Sequence, residues 1–308
     1  MSSSKTPRNI EEKLTDRNKI RKKFHKIWDK IFQKTSNLEK INHKKVKKEL
    51  QKLVIYDALD GTRSTLTKTF KKTNPGIEGG LFAIKLIHIF NSLKGKSCII
   101  MVHTSYNRLR GKKEFRKILK NIKTGGKIIE RFAEKKDIAC HCLYINNKYE
   151  QKKLLDRINK KTRKKTKNCL PIYFLFDYNE KWISTNKGRK IIEKLPDIDV
   201  HIRHTKLQFS GGWIPGKMSR SVFLYSQNGA KLSNWNNKEL ITLIALALLA
   251  KILNKGEALL KKYKNQQEIK KRHQQREIKL FNQKVKLRQK PKKLCIFGSP
   301  KGIYQYYF

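Results

Sequence analysis

Between Leu53 and Leu253, short apolar runs of strand length alternate with longer segments whose apolar residues recur at helical spacing, and few folds accommodate that alternation. The strand-like runs are Leu53–Tyr56 (L-V-I-Y), 97–102 (S-C-I-I-M-V), Ile138–Tyr144, 171–177 (P-I-Y-F-L-F-D) and 199–203 (D-V-H-I-R). Helices are predicted over Gly80–Leu93, Lys112–Arg131, Tyr149–Lys164 and Asn186–Lys194. Strands buried on both faces need continuous apolar runs, so the expected class is α/β, with a central, mostly parallel sheet flanked by helices. A chain of 308 residues can form one such domain of roughly 200–250 residues with extensions. We place that domain at 51–253. Residues 1–50, with Ile20, Phe24, Ile27, Trp28 and Ile31 at helical spacing, read as a basic helical extension. Residues 254–308 read as a second one that ends in an apolar tail, 294–308.

The formal charge of +50 admits two readings. Lys far outnumbers Arg, and Asn and Ile are also abundant, which matches drift toward A/T-rich codons and a solvated Lys surface. A functional polyanion surface, nucleic acid or anionic membrane, is the other reading, although Lys matches bidentate recognition poorly. The five cysteines make no C-x-x-C pair, and Cys140-His141-Cys142 is too tight for a zinc half-site, so core packing and a reducing compartment are expected. The opening M-S-S-S-K-T-P-R lacks the apolar stretch of a secretory signal, and Leu240–Leu253 is shorter than the roughly 20 residues of a membrane span. The expectation is a cytoplasmic protein with a buried helix at 240–253.

In open parallel sheets, ligands sit beyond the carboxyl ends of the strands, so the residues that follow each strand carry the functional signal. Leu53–Arg63 reads L-V-I-Y-D-A-L-D-G-T-R, placing Asp57, Asp60, Gly61, Thr62, Arg63 and Ser64 after the first strand. His103, Thr104, Ser105, Asn107 and Arg110 follow the second. Asp177, Asn179, Lys181 and Trp182 follow the run at 171–177, and Arg203, His204, Lys206 and Ser210 follow the last. Cations, hydroxyls and amides that bind oxygens, beside a carboxylate that holds Mg²⁺, suit a diphosphate.

The order of these segments over residues 50–253 resembles the cis-prenyltransferase superfamily, which includes the undecaprenyl diphosphate synthases. L-V-I-Y-D-A-L-D-G-T-R is similar to that family's first motif, a strand followed by D-G-N-R-R or D-G-N-G-R. H-T-S-Y-N-R-L-R at 103–110 is similar to its F-S-x-E-N-W-x-R segment at Ser105, Asn107 and Arg110. C-L-Y-I-N-N, F-D-Y-N-E-K-W and D-I-D-V-H-I-R resemble its R-x-I-G-D, N-Y-G-G-R and D-L-x-I-R stretches. The resemblance implies an apolar tunnel for a prenyl tail, with Gly80–Leu93 as the tunnel helix, and a homodimer. It implies that Asp60, with Asp57 as the alternative, holds Mg²⁺ and helps ionise an allylic prenyl diphosphate. Gly61, Thr62, Arg63 and Ser64 would bind the phosphates, with Thr104, Ser105, Asn107, Arg110, Lys181, Arg203 and Ser210 completing the substrate site. His103 and His204 would suit proton removal from a carbocation.

The departures are in the second-substrate half. The family's last motif, R-x-G-G-x-x-R-x-S, holds isopentenyl diphosphate, whereas R-H-T-K-L-Q-F-S-G-G-W keeps Arg203 and Ser210 but puts Gln208 at the second Arg. D-G-T-R and G-K-M-S-R-S-V-F-L-Y look more like the divergent branch with tuberculosinol-type synthases. The expected function is therefore Mg²⁺-dependent ionisation of a prenyl diphosphate, as a terpene synthase or a prenyltransferase to a non-standard acceptor. The alternatives are elongation with isopentenyl diphosphate, and a non-catalytic partner subunit or nucleic-acid-binding protein. Peripheral membrane association through the basic termini is a further expectation.

Overall fold

In a computed structural model, the described residues are 16–34, 42–59, 74–135, 138–146, 149–162, 169–204, 212–226, 229–253, 294–299 and 302–307. Helices α1 (Arg17–Lys34) and α2 (His43–Leu50) precede β1 (Val54–Ala58), and α3 (Pro75–Ser92) leads into β2 (Ser97–Met101). A 3₁₀ turn (Ser105–Arg110) and α4 (Lys112–Lys135) then lead to β3 (Ile138–Leu143), and α5 (Lys152–Thr162) to β4 (Leu170–Leu175). After a 3₁₀ turn (Glu180–Ser184), α6 (Asn186–Glu193) leads to β5 (Val200–His204) and β6 (Val222–Ser226). Helix α7 (Asn237–Leu253) and strands β7 (Leu294–Ser299) and β8 (Gly302–Tyr307) complete the order.

The eight strands form one sheet in the order β3-β4-β2-β1-β5-β6-β7-β8. The first six are parallel, and β7 and β8 are antiparallel. The mostly parallel α/β class expected from the alternation is what the chain adopts. Three strands go beyond that expectation: β6, and the pair β7–β8 where an apolar tail was read. The helical extension expected at 254–293 lies outside the described residues.

Helices α3 and α7 are apolar nearly all round because both are buried nearly all round. Asn74 starts α3 by accepting from Gly76 N at 2.9 Å, with Pro75 in the first turn where its missing N–H costs nothing. Asn236 and Glu239 start α7 by exchanging backbone bonds at 2.8 and 3.0 Å. Helix α1 lies on α7 and buries Ile20, Phe24, Ile27, Trp28 and Ile31, so the core draws on residues 17–50 as well as on 51–253. Cys140 and Cys142 are also buried in that core. The second face of the sheet carries a smaller core of Tyr56, Tyr178, Trp182 and Ile192 of α6 among others.

Helix α5 shields the outer strand β3. Asn159 Oδ1 accepts from Cys142 N at 2.6 Å and Thr162 Oγ1 from Cys140 N at 3.2 Å, satisfying amides that an edge strand otherwise leaves open. Among the described residues, no helix is long and apolar enough to cross a membrane.

Candidate active site

The chain leaves β1 for β2 on one side and returns through α6 to β5 on the other, so the direction of winding switches between β1 and β5. At such a switch point the loops diverge and leave a crevice beyond the strand ends. Here β1 ends in Asp57-Ala58 and β5 in Arg203-His204. The loops that leave these strands carry Asp60, Gly61, Thr62, Arg63 and Ser64 on one side and Lys206, Gln208 and Ser210 on the other; all of these lie outside the described residues.

Asp57 and His204 form a pair just below this crevice. His204 Nε2 lies 3.0 Å from Asp57 Oδ2 and 3.3 Å from Oδ1, and both side chains are 0% exposed. A carboxylate only accepts, so the ring N–H donates. Phe82 of α3 and Trp235 set their rings edge-on to the imidazole at 5.4 and 5.7 Å. Arg203 is buried at the same strand end. Asp57 is thus engaged by His204 and fully buried. Among the described residues, no three His, Cys, Asp or Glu side chains gather where a metal ion could be held. Asp60, the acid expected to hold Mg²⁺, lies outside the described residues.

A second cluster stands at the ends of β2 and β4. Arg108 makes a two-pronged bond to Asp177, Nε to Oδ1 at 3.1 Å and Nη2 to Oδ2 at 2.9 Å, while its guanidinium lies over the Phe115 ring at 4.7 Å. Asp177 adopts φ 52°, left-handed backbone that a non-glycine residue holds only when its surroundings enforce it. Its amide donates to His103 Nδ1 at 3.2 Å. That bond leaves the imidazole proton on Nε2, which is buried, has no hydrogen-bond partner and is 3.7 Å from Asp177 Oδ1. His103, expected from the sequence as a base, is tied through Nδ1 into the β2–β4 cluster. Tyr149 stacks on its ring at 5.6 Å, and burial pushes the Tyr149 phenol up.

The remaining expected residues separate into two groups. Thr104 and Ser105 face the crevice side of the β2–β4 pairing: Ser105 N donates to Tyr178 O at 2.8 Å, and Ser105 Oγ accepts from Asn179 at 2.8 Å. Asn107 Oδ1 is spent on Thr104 N at 3.1 Å. Arg110 is half-exposed beside Glu114 at 3.5 Å, and Lys181 is exposed. The sequence reading did not assign Arg108, Tyr149, Tyr56, Tyr178 or Glu180. The last three hold the segment that returns from the 205–211 loop: Tyr56 donates to Gly212 O at 2.8 Å, Tyr178 to Trp213 O at 2.7 Å, and Gly212 N to Glu180 Oε1 at 2.9 Å.

Burial pushes the His103 imidazole down to about 4, against the opposing pull of Asp177. In the unfolded chain the group titrates near 6.5, so between these values the unfolded state binds the extra proton. Stability is expected to be full above about pH 6.5 and to fall as acid is added through this window, by at most about 1.4 kcal/mol per pH unit. The fully buried His201 is pushed down too and adds in the same direction. Denaturant unfolding at neutral and mildly acid pH, in the wild type and in His103→Gln, measures this. The variant keeps an acceptor for the Asp177 amide and should show the shallower slope, and equal slopes would reject the assignment.

No family profile and no curated protein sequence matches this chain. Solved structures do. Lavandulyl diphosphate synthase from Lavandula x intermedia, solved in complex with dimethylallyl diphosphate, aligns with a TM-score of 0.56 at 12% identity, over 65% of this chain and 96% of that one. A probable undecaprenyl diphosphate synthase from Campylobacter jejuni aligns with a TM-score of 0.47 at 14% identity, over 63% and 93%. The chain has the cis-prenyltransferase fold. The Arg108–Asp177 and Asp57–His204 pairs are features of this chain's own strand ends.

Proposed function

We propose that this chain ionises an allylic prenyl diphosphate at the β1–β5 switch point and passes the allylic cation to water, to proton loss or to an acceptor other than isopentenyl diphosphate. The observation that carries the reading is the buried Asp57–His204 pair, which pins the two adjacent strand ends that precede the motif residues Asp60–Ser64 and Lys206–Ser210 in sequence. A neighbour of the same fold was solved with dimethylallyl diphosphate, which supports a prenyl diphosphate as substrate class.

In the reaction, the bond between the allylic carbon and the diphosphate oxygen breaks, and the diphosphate leaves with the electron pair. Arg63, Thr62 and the Gly61 amide would bind the leaving group together with Arg203. Asp60 would hold Mg²⁺, and the ion would supply positive charge against the departing diphosphate. The cation would need a dry, apolar surface, for which the apolar helix α3 is the candidate. The acceptor is taken to be other than isopentenyl diphosphate because Gln208 stands where the family's last motif has its second Arg.

Product analysis tests this, with labelled farnesyl and geranylgeranyl diphosphates and Mg²⁺, with and without isopentenyl diphosphate. Diphosphate release is expected without isopentenyl diphosphate, and Asp60→Asn should reduce it at least a hundredfold, roughly the loss of a main electrostatic contributor. Products longer by one isoprene unit, formed only when isopentenyl diphosphate is present, would establish elongation instead.

A further inference from the structure

Four large apolar side chains are exposed among the described residues: Leu109 at 83%, Tyr106 at 44%, Ile183 at 39% and Trp213 at 37%. All four lie at the carboxyl edge of the sheet. Tyr106 and Leu109 belong to the turn after β2, Ile183 to the turn after β4, and Trp213 to the segment after β5. Direct bonds join these places. Glu180 accepts from Gly212 N, its carboxylate sits against Tyr106, and Tyr178 holds the Trp213 carbonyl. Exposed aliphatic and aromatic groups gathered on one face are a feature a solvated surface does not require.

Helix α4 begins directly after this cluster, and its exposed face is cationic. Lys113, Arg116, Lys117, Lys120, Lys123 and Lys127 recur at three- and four-residue spacing and are exposed. They form a stripe of about 20 Å at 1.5 Å per residue. Between Glu114 and Glu130 the helix carries no acid, and Glu130 turns inward to Arg157 and Lys161. Among the described residues none of the six pairs with a carboxylate.

We propose that this face docks on an anionic lipid surface, with Leu109, Ile183, Tyr106 and Trp213 entering the headgroup region and the α4 stripe lying along the negative charge. Amphipathic rings and aliphatics beside a row of Lys match the layered chemistry of a bilayer interface. Leu109 and Ile183 have no role on a nucleic acid, where stacking and Arg would be favoured. The inference is independent of the proposed catalysis.

The test is co-sedimentation of the full chain with vesicles of phosphatidylcholine alone and of phosphatidylcholine with phosphatidylserine. Binding to the anionic vesicles is expected, weakening with salt. The triple variant K113Q/K117Q/K120Q and the double variant L109S/I183S should each weaken it about tenfold or more, scaled from the contribution of single surface contacts. The double variant decides the matter, since basic segments elsewhere in the chain bind anionic vesicles without Leu109 or Ile183. Turnover of a soluble prenyl diphosphate should stay at the wild-type level in both, which separates this surface from the catalytic site. Unchanged vesicle binding in the double variant would overturn the proposal. So would vesicle binding that is absent in the wild type while binding to a short RNA or DNA duplex falls in the triple variant.

Discussion

Asp57→Ala is expected to lose about 3–5 kcal/mol of stability, the cost of breaking a buried pair by removing one partner. The carboxylate accepts from His204 Nε2 at 3.0 Å, and neither group reaches water, so removing the carboxylate takes away a buried acceptor that solvent does not replace. Against the 5–15 kcal/mol that holds a typical domain together, roughly a third of the total would go. His204→Ala should cost a similar amount, and the double variant clearly less than the sum, because removing both partners leaves no orphaned polar group. Urea unfolding of the four proteins measures this cycle. A strictly additive cycle would show that the two side chains act separately. The folded fraction of either variant should also release diphosphate more slowly, since the ends of β1 and β5 lose their shared anchor. Wild-type turnover in a well-folded Asp57→Ala protein would remove the pair from the function proposed for it.

Gly76→Ala should destabilise by about 3 kcal/mol or more, the upper end of what one misplaced methyl group costs in a packed core. Helices α3 and α4 approach backbone to backbone through glycines: a Cβ at Gly76 would stand 2.3 Å from Asn121 O, and one at Gly125 2.8 Å from Gly76 O. Those obstacles are main-chain atoms, so no side-chain rotation relieves them, and the helices must part. Because α3 also carries Phe82 to the His204 ring, the displacement should reach the candidate site. Thermal unfolding with near-ultraviolet circular dichroism reads both effects. A shift of less than about 0.5 kcal/mol, the usual scatter of harmless surface changes, would mean that the helices are not held at this spacing.

The sequence is most legible where one physical demand dominates. Helix α7 stands out because it is buried all round, and its run of Leu, Ile and Ala admits no other reading once it is too short for a membrane. Helix α3 begins at Pro75 rather than at Gly80, because capping by Asn74 outweighs the poor propensity of Gly76, Gly79 and Gly80. Strand β6 has only five residues after a basic, serine-containing stretch, and its apolar character reflects its place between β5 and β7 more than any local pattern. The site follows the same rule. Strand ends were readable as a class, whereas Arg108 and Asp177 are 69 positions apart and Asp57 and His204 are 147 apart. Asp57 could serve either as an open acid at a strand end or as a buried partner. Only the placement of β5 beside β1 decides between them.

The hairpin β7–β8 joins β6 through three residue pairs, from Leu224 with Phe297 to Ser226 with Cys295. Central strands are shielded by neighbours on both sides, but β6 depends for its outer shield on this small, late segment. If the hairpin undocks, the row of amides and carbonyls along β6 becomes a template that another chain can extend. Shielding β6 is therefore a task for the two short strands 294–299 and 302–307, and self-association should track their release more closely than global unfolding.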